Sequence, residues 1–521
     1  MTILRPALAV LGLLSATAVP AVPAAAPVRA PAIALPDRIG WGGGPPVSDP
    51  ARYLREQLNP SADDGLPPEI QAQIDAMDIS HASLADIAIQ VGEARQALQM
   101  ERQARQQPSA DPKQQTGARR DYRQLLQGLA RQAATRALLR DIYSRNQLKE
   151  TLTWFWFNHF NVNQRKGVIA AMVGDYEENA IRPHVLGRFR DLLMATAFHP
   201  AMLQYLDNQQ NEAGKINENF AREIMELHTM GVGSGYSQKD VQELARIFTG
   251  VGVNFGAQAR PRAVAMALRA GDGLAFNPRR HDFGDKLFLG QVIKGTGADE
   301  ARQALLILSR QPATARHVSR QLAQFYCCDA PDETLVSAMA ATFQKTDGDI
   351  RAVLETLFAS PQFKASPGTK FKDPVHFAIS AVRAAYGDTP IRGVTPVMNW
   401  LQRMGEPLYG HETPDGYALT ADNWNGPGAM ETRFEIAGAV GAGRPSLLSD
   451  DPAPGRGGRL MPASAQMVRG PQTPPPDLQN AAYVQALLPS LGPATRNALA
   501  KAGSPANWNM LFLASPEFMY R

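Results

Sequence analysis

Apolar residues recur along this chain mainly at helical spacing, and convincing two-residue alternation is scarce. From 79 to 107 the run Ile79, Leu84, Ile87, Ile89, Val91 and Leu98 predicts helix. A second amphipathic stretch runs from 120 to 160 and ends in TWFWFNHF. The pattern recurs at 182–206, 217–230, 238–249, 299–325, 333–343, 350–360 and 374–385, and a closing helical pair is expected at 478–488 and 494–501. Short strands are expected only around 251–254 and 286–292. GWGGGPP (40–46) fits a turn between helices, and RQARQQPSADPKQQTGAR (102–119) a solvated loop. The Pro/Gly-rich stretch 444–477 fits an irregular excursion. The expected fold is mostly α: a multi-helical single large domain over 37–521, with long irregular loops and a few short strands.

The first thirty residues break the pattern. Arg5 precedes an apolar run from Leu8 to about Val19, and Ala24-Ala25-Ala26 follows as a cleavage site. That is the anatomy of a signal peptide over 1–26, with 27–36 as a Pro/Ala tether, and it implies export to the periplasm or beyond the cell. The apolar run is too short to span a bilayer, so the mature chain is expected to carry no transmembrane segment. A formal charge of +4 on 521 residues, without basic runs interleaved with aromatics, points away from nucleic acid. The two cysteines, Cys327 and Cys328, are neighbours and read as buried thiols at a helix end.

Candidate chemistry gathers in NENFAREIMELH (217–228). On a helix Asn219, Glu223 and Glu226 share one stripe, beside an apolar stripe of Phe220, Ile224 and Leu227. Glu218, Arg222 and Glu226 form a ladder able to pair internally. His159, His184, His199, His228 and His281, with Asp207, Asp282 and the glutamates, offer nitrogen and oxygen ligands for a divalent metal; His159, His281 and Asp282 are the candidates. No pair has HExxH spacing. HDFGDKLFLG (281–290) reads as a tight turn with Asp282, Asp285 and Lys286 as charged tips. GHETPDGYALTADNWNGPG (410–428) reads as an ordered loop, with Tyr417 and Trp424 either stacking on a sugar-like ligand or anchoring the loop. There is no Gly-x-Ser-x-Gly, no Walker loop, and no strand–helix context for a dinucleotide fingerprint.

Several blocks resemble the bacterial family catalogued as domain of unknown function 1800. They are RIGWGGGP, FNHFNV, HPAMLQYLDN with NENFAREIMELHTMGV and GYSQKDVQELARIFTG, HDFGDKLFLG, FKDPVHF, GEPLYG and LASPEFMYR. The chain departs from the family pattern at Thr249-Gly250-Val251, where other members often carry Thr-Gly-Trp, and in its PDGYALTADNWNGPG loop. The resemblance implies an exported, largely helical protein whose relatives often occur beside a sulfatase-like neighbour. It names no reaction. Two readings therefore stand. One is a hydrolase or lyase on polysaccharide or another envelope polymer, with Glu223, Glu226 and His228 as catalytic groups. In it Asn217, Asn219, Arg222, Asp207 and Trp424 hold substrate. The other is a non-enzymatic binding or assembly partner of the sulfatase-like protein, with the polar helix as a structural network.

Overall fold

The computed structural model describes residues 29–104, 117–252, 276–387, 389–443, 445–449, 451 and 474–521. Among them helices dominate, and the one sheet is an antiparallel hairpin in which Lys286–Phe288 pairs with Gln291–Ile293. No helix among the described residues is long and apolar enough to cross a membrane. The signal segment, the run 105–116 and most of the 444–477 excursion lie outside the described residues.

Proline sets many helix starts. The segment expected to be one helix over 299–325 is two, Asp299–Ser309 and Pro312–Tyr326, because Pro312 occupies a first-turn position where its missing N–H costs nothing. Pro200 likewise starts Pro200–Tyr205 and separates it from Phe189–Ala197. The stretch expected as helix over 120–160 divides into Gly117–Tyr143 and Gln147–His159. Gln147 closes that corner by donating to the Ser144 carbonyl at 2.8 Å.

The tether reading of 27–36 is corrected over its described part. Pro31–Ile39 is a packed helix, and Arg29 ahead of it is buried in an ion pair with Asp37. Arg29 also donates to the carbonyls of Glu517 (2.7 Å) and Tyr520 (2.6 Å), so this end is fastened across the fold. Composition misled because Pro36 sits inside the helix. The Ala32 carbonyl that Pro36 cannot serve accepts instead from the Val47 amide at 2.9 Å.

Two apolar cores result. One is built around Phe155, Trp156, Phe160, Phe189 and Phe248, the other around Trp41, Phe377, Val440 and Phe512. The long helix Gly117–Tyr143 serves both, giving Leu129 and Ala133 to the first and Leu138 and Ile142 to the second. The GWGGGPP turn docks against the second core. Gly43 has φ +70°, and a Cβ there would stand 2.2 Å from the Ser380 carbonyl oxygen, so no larger residue fits.

Candidate functional site

Where the two cores meet, the helices Gly117–Tyr143 and Gln147–His159 leave a small, nearly closed pocket with about 30 Å³ of space for water-sized molecules. Asp141, Glu150, Glu177 and Arg182 are its charged lining, and Trp154, Phe157, Tyr409 and Tyr417 its aromatic walls. Glu177 sits on Tyr176–Ile181, a π-helical segment. Such a turn widens the helix by one residue per turn and re-aims side chains, which is why it recurs at functional sites.

The carboxyl groups are treated differently. Glu150 is ion-paired with Arg182, whose other amino group reaches Asp64 at 2.7 Å. Burial works against the Arg182 charge, but Glu150 and Asp64 hold the guanidinium firmly protonated. Asp141 has no ion-pair partner among the described residues; its Oδ1 accepts from the Trp41 indole at 2.8 Å. Burial, then the charges of Glu150 and Glu177, push Asp141 well above the ordinary carboxyl range. Burial also raises Glu177, opposed by the Tyr409 hydroxyl, which donates to it at 2.7 Å. One paired carboxylate thus stands beside two carboxyls held toward their neutral form.

The loop 411–417 covers one side of this pocket. Asn158 exchanges two hydrogen bonds with Tyr417, donating to its carbonyl at 2.9 Å and accepting from its amide at 2.6 Å. Asn161 donates to the Thr413 carbonyl at 2.7 Å and the His411 carbonyl at 3.2 Å. Tyr205 donates to the Glu412 carbonyl at 2.8 Å. The two asparagines of FNHFNV therefore act as a clamp on the covering loop.

Glu223 lies near Asp415 of that loop. The predicted helix forms over Glu218–Glu226, burying Phe220, Ala221, Ile224 and Met225. Glu223 is half-buried, and desolvation, then Glu226, raises its carboxyl, with Asp415 of the loop adding to the effect and Arg222 opposing it. Glu226 and Glu218 both pair with Arg222, at 3.3 and 3.1 Å, as the ladder predicts. Asn217 caps the helix by accepting from the Asn219 amide at 3.0 Å, and Asn219 donates to the Leu206 carbonyl at 3.1 Å. Asp207 adopts a left-handed backbone (φ 59°) and accepts from Lys166 at 2.9 Å. The expected substrate contacts Asn217, Asn219, Arg222 and Asp207 are thus held in local structure. Trp424 is buried, donates to the Ala418 carbonyl at 2.9 Å and packs on Tyr417, so of its two readings it takes the anchoring one.

His228 is fully buried, and neither ring nitrogen completes a hydrogen bond; the Pro414 backbone lies beside it outside bonding geometry. Its ring neighbours His159, which in turn neighbours His317, with ring centres 6.0 and 6.1 Å apart. Burial lowers all three, His159 to about 4 and His228 well below the ordinary range. His159 and His317 contact the carbonyls of His228 and Leu227 at 3.0 Å each, closing the last turn of the glutamate helix. The proposed metal ligands do not converge. His281 contacts Glu300 at 2.9 Å and Asp282 accepts from Arg246 at 2.8 Å, a separate network from His159. Among the described residues no group of three or more His, Cys, Asp or Glu is arranged to hold a metal ion. In the same segment Gly284 donates to the Asp282 carboxylate at 2.9 Å, the self-stapled turn, but Lys286 is not a charged tip. It is buried in an ion pair with Glu300.

The profile of the family described as "Protein of unknown function (DUF1800)" matches residues 37–520. The chain belongs to the DUF1800 family. No curated protein and no solved structure matches it. In this DUF1800 chain four of the blocks that carried the resemblance meet at or beside the pocket. Trp41 of RIGWGGGP holds Asp141, and Asn158 of FNHFNV holds the covering loop. Tyr409 of GEPLYG holds Glu177, and His376 of FKDPVHF packs on Trp41 with ring centres 4.5 Å apart. The pocket carboxyls themselves were not singled out from the sequence. Their signal was an acid on the buried stripe of a helix: Asp141 between Leu138, Leu139 and Ile142, and Glu150 between Leu148 and Leu152.

Proposed function

We propose that this DUF1800 chain is an exported hydrolase or lyase that acts on polysaccharide or another envelope polymer by acid–base chemistry at the Asp141–Glu177 pocket. One observation carries this reading: two carboxyls raised by burial share an aromatic-walled pocket with a third, Arg-paired carboxylate. Environments that separate the ionisation of neighbouring carboxyls supply both an acid and a base near neutral pH. Asp141, raised further, is the acid, and Glu177, whose rise the Tyr409 hydroxyl opposes, is the base; Trp154 and Tyr417 are the aromatic groups beside them. Glu223, near Asp415 of the same loop, is the second acid–base candidate. Export rests on the three-part anatomy of residues 1–26.

The test incubates purified full-length protein with peptidoglycan and with neutral and acidic polysaccharides, measuring new reducing ends and unsaturated products. Asp141→Asn and Glu177→Gln should each lower product release by about 10²-fold or more with helicity unchanged. Full activity in both variants, with loss in Glu223→Gln, moves the chemistry to the glutamate helix. No product from the wild type on any polymer refutes the enzyme.

A second reading, assembly with a sulfatase-like partner, is favoured by the hairpin. Leu287 and Val292 face each other across it and are 47% and 62% exposed. Co-purification lost in Leu287→Ser/Val292→Ser, with catalysis absent throughout, supports that reading instead.

A further inference from the structure

The end of the helix Pro312–Tyr326 carries two thiols in contact. The amides of Cys327 and Cys328 both donate to the Ala323 carbonyl, at 2.8 and 3.3 Å, which folds the pair back on the helix. Their sulfurs lie 3.3 Å apart and are not bonded. Cys327 is fully buried, whereas Cys328 is partly exposed and open to a reagent from solvent.

The surroundings are cationic. Arg38 donates to the Cys327 carbonyl and to the Ser366 hydroxyl. Arg521 donates to the Phe325 carbonyl at 2.7 Å, and Lys370 pairs with Asp329 beside Cys328. A neighbouring thiol and the Arg38 charge draw the Cys327 thiol down to about 7 against its burial, while Cys328 is pushed up by the same contact. The pair thus releases one proton readily and shares the resulting charge.

We propose that Cys327 and Cys328 are a redox modification site, at which an external disulfide converts the adjacent thiols into a vicinal disulfide. Cys328, the exposed member, passes its proton across the 3.3 Å contact to Cys327 as it attacks one sulfur of the external disulfide and releases one thiolate. The Cys327 thiolate then attacks the Cys328 sulfur of the mixed disulfide and expels the second. The two thiol protons end on the two released thiolates, two electrons reduce the external disulfide to two thiols, and one sulfur–sulfur bond forms in the protein. The eight-membered ring so formed is strained, which raises its reduction potential and makes the modification readily reversible.

The experiment treats purified, reduced full-length protein with oxidised glutathione and reads intact mass before and after thiol alkylation under native conditions. The expected product has lost about 2 Da, carries no glutathione, resists alkylation at both sites and returns to the dithiol with dithiothreitol. Cys327→Ser should instead stop at a stable glutathione adduct on Cys328, the trapped first step. A wild-type protein that keeps a single adduct on Cys328, or remains unmodified with an alkylatable Cys328, overturns the proposal.

Discussion

The Tyr409 hydroxyl donates to the buried Glu177 carboxyl at 2.7 Å, joining the GEPLYG loop to the π-helical segment that opens the pocket. Burial holds the Tyr409 phenol well above its ordinary range, so it remains a donor throughout the accessible pH range. Tyr409→Phe removes that donor and should destabilise the fold by about 1–3 kcal/mol in urea unfolding. The sign of its pH dependence follows from Glu177. A raised carboxyl contributes stability below its unfolded value, near 4, and loses it as pH rises through the folded value. Without Tyr409 the ionised form is poorer still, so the deficit should be larger at pH 8 than at pH 5. A pH-independent deficit contradicts this coupling.

Gly416 is fixed by both conformation and space. Its φ is +72°, and a Cβ would stand 2.2 Å from the Asn158 carbonyl oxygen. Gly416→Ala should cost roughly 1–3 kcal/mol and release the covering loop. Limited proteolysis checks it: cleavage should appear between 410 and 420 while the rest of the chain stays protected.

The histidine cluster makes the fold acid-sensitive. His159, His228 and His317 are all lowered by burial, so their contribution is present above the unfolded value of about 6.5 and is lost as pH falls toward the folded values. His228→Leu replaces two unpartnered nitrogens by apolar atoms. Its stability relative to wild type should rise by roughly 1–2 kcal/mol as pH falls from about 7.5 to about 5. Urea midpoints at the two pH values measure it, and parallel shifts in both proteins would remove His228 from the account.

Two arginines that each bridge two carboxylates should behave oppositely. Arg182 is buried against Glu150 and Asp64, and Arg182→Ala strands those carboxylates at a cost of about 3–5 kcal/mol. Arg222 bridges Glu218 and Glu226 on a partly exposed face, and Arg222→Ala should cost less than about 1 kcal/mol. Thermal unfolding of both variants separates the two cases; equal losses would mean that the glutamate ladder is structural in the same sense as the buried pair.

The glutamate helix was legible because its information is local. Spacing alone placed Phe220 and Ile224 inside and paired Glu218, Arg222 and Glu226. Where a proline or a corner divides a helix, as at Pro312 and Ser144–Asn146, the periodicity runs through the break and hides it. The pocket was not legible for a different reason. Asp141, Glu150 and Glu177 lie on different helical segments, and an acid on an apolar stripe does not by itself show which other acids it will meet.

The sequence by itself determined the mostly helical class, the family, the amphipathic helix within 217–230 and the thiol pair at a helix end, because each follows from residues within a few turns of one another. Only the tertiary structure decided which acids lose their water. Trp41 and Asp141 stand a hundred residues apart, as do Tyr409 and Glu177 at more than twice that separation. A carboxyl's ionisation is set by the solvent and charges around it, and those arrive only when distant segments close over it.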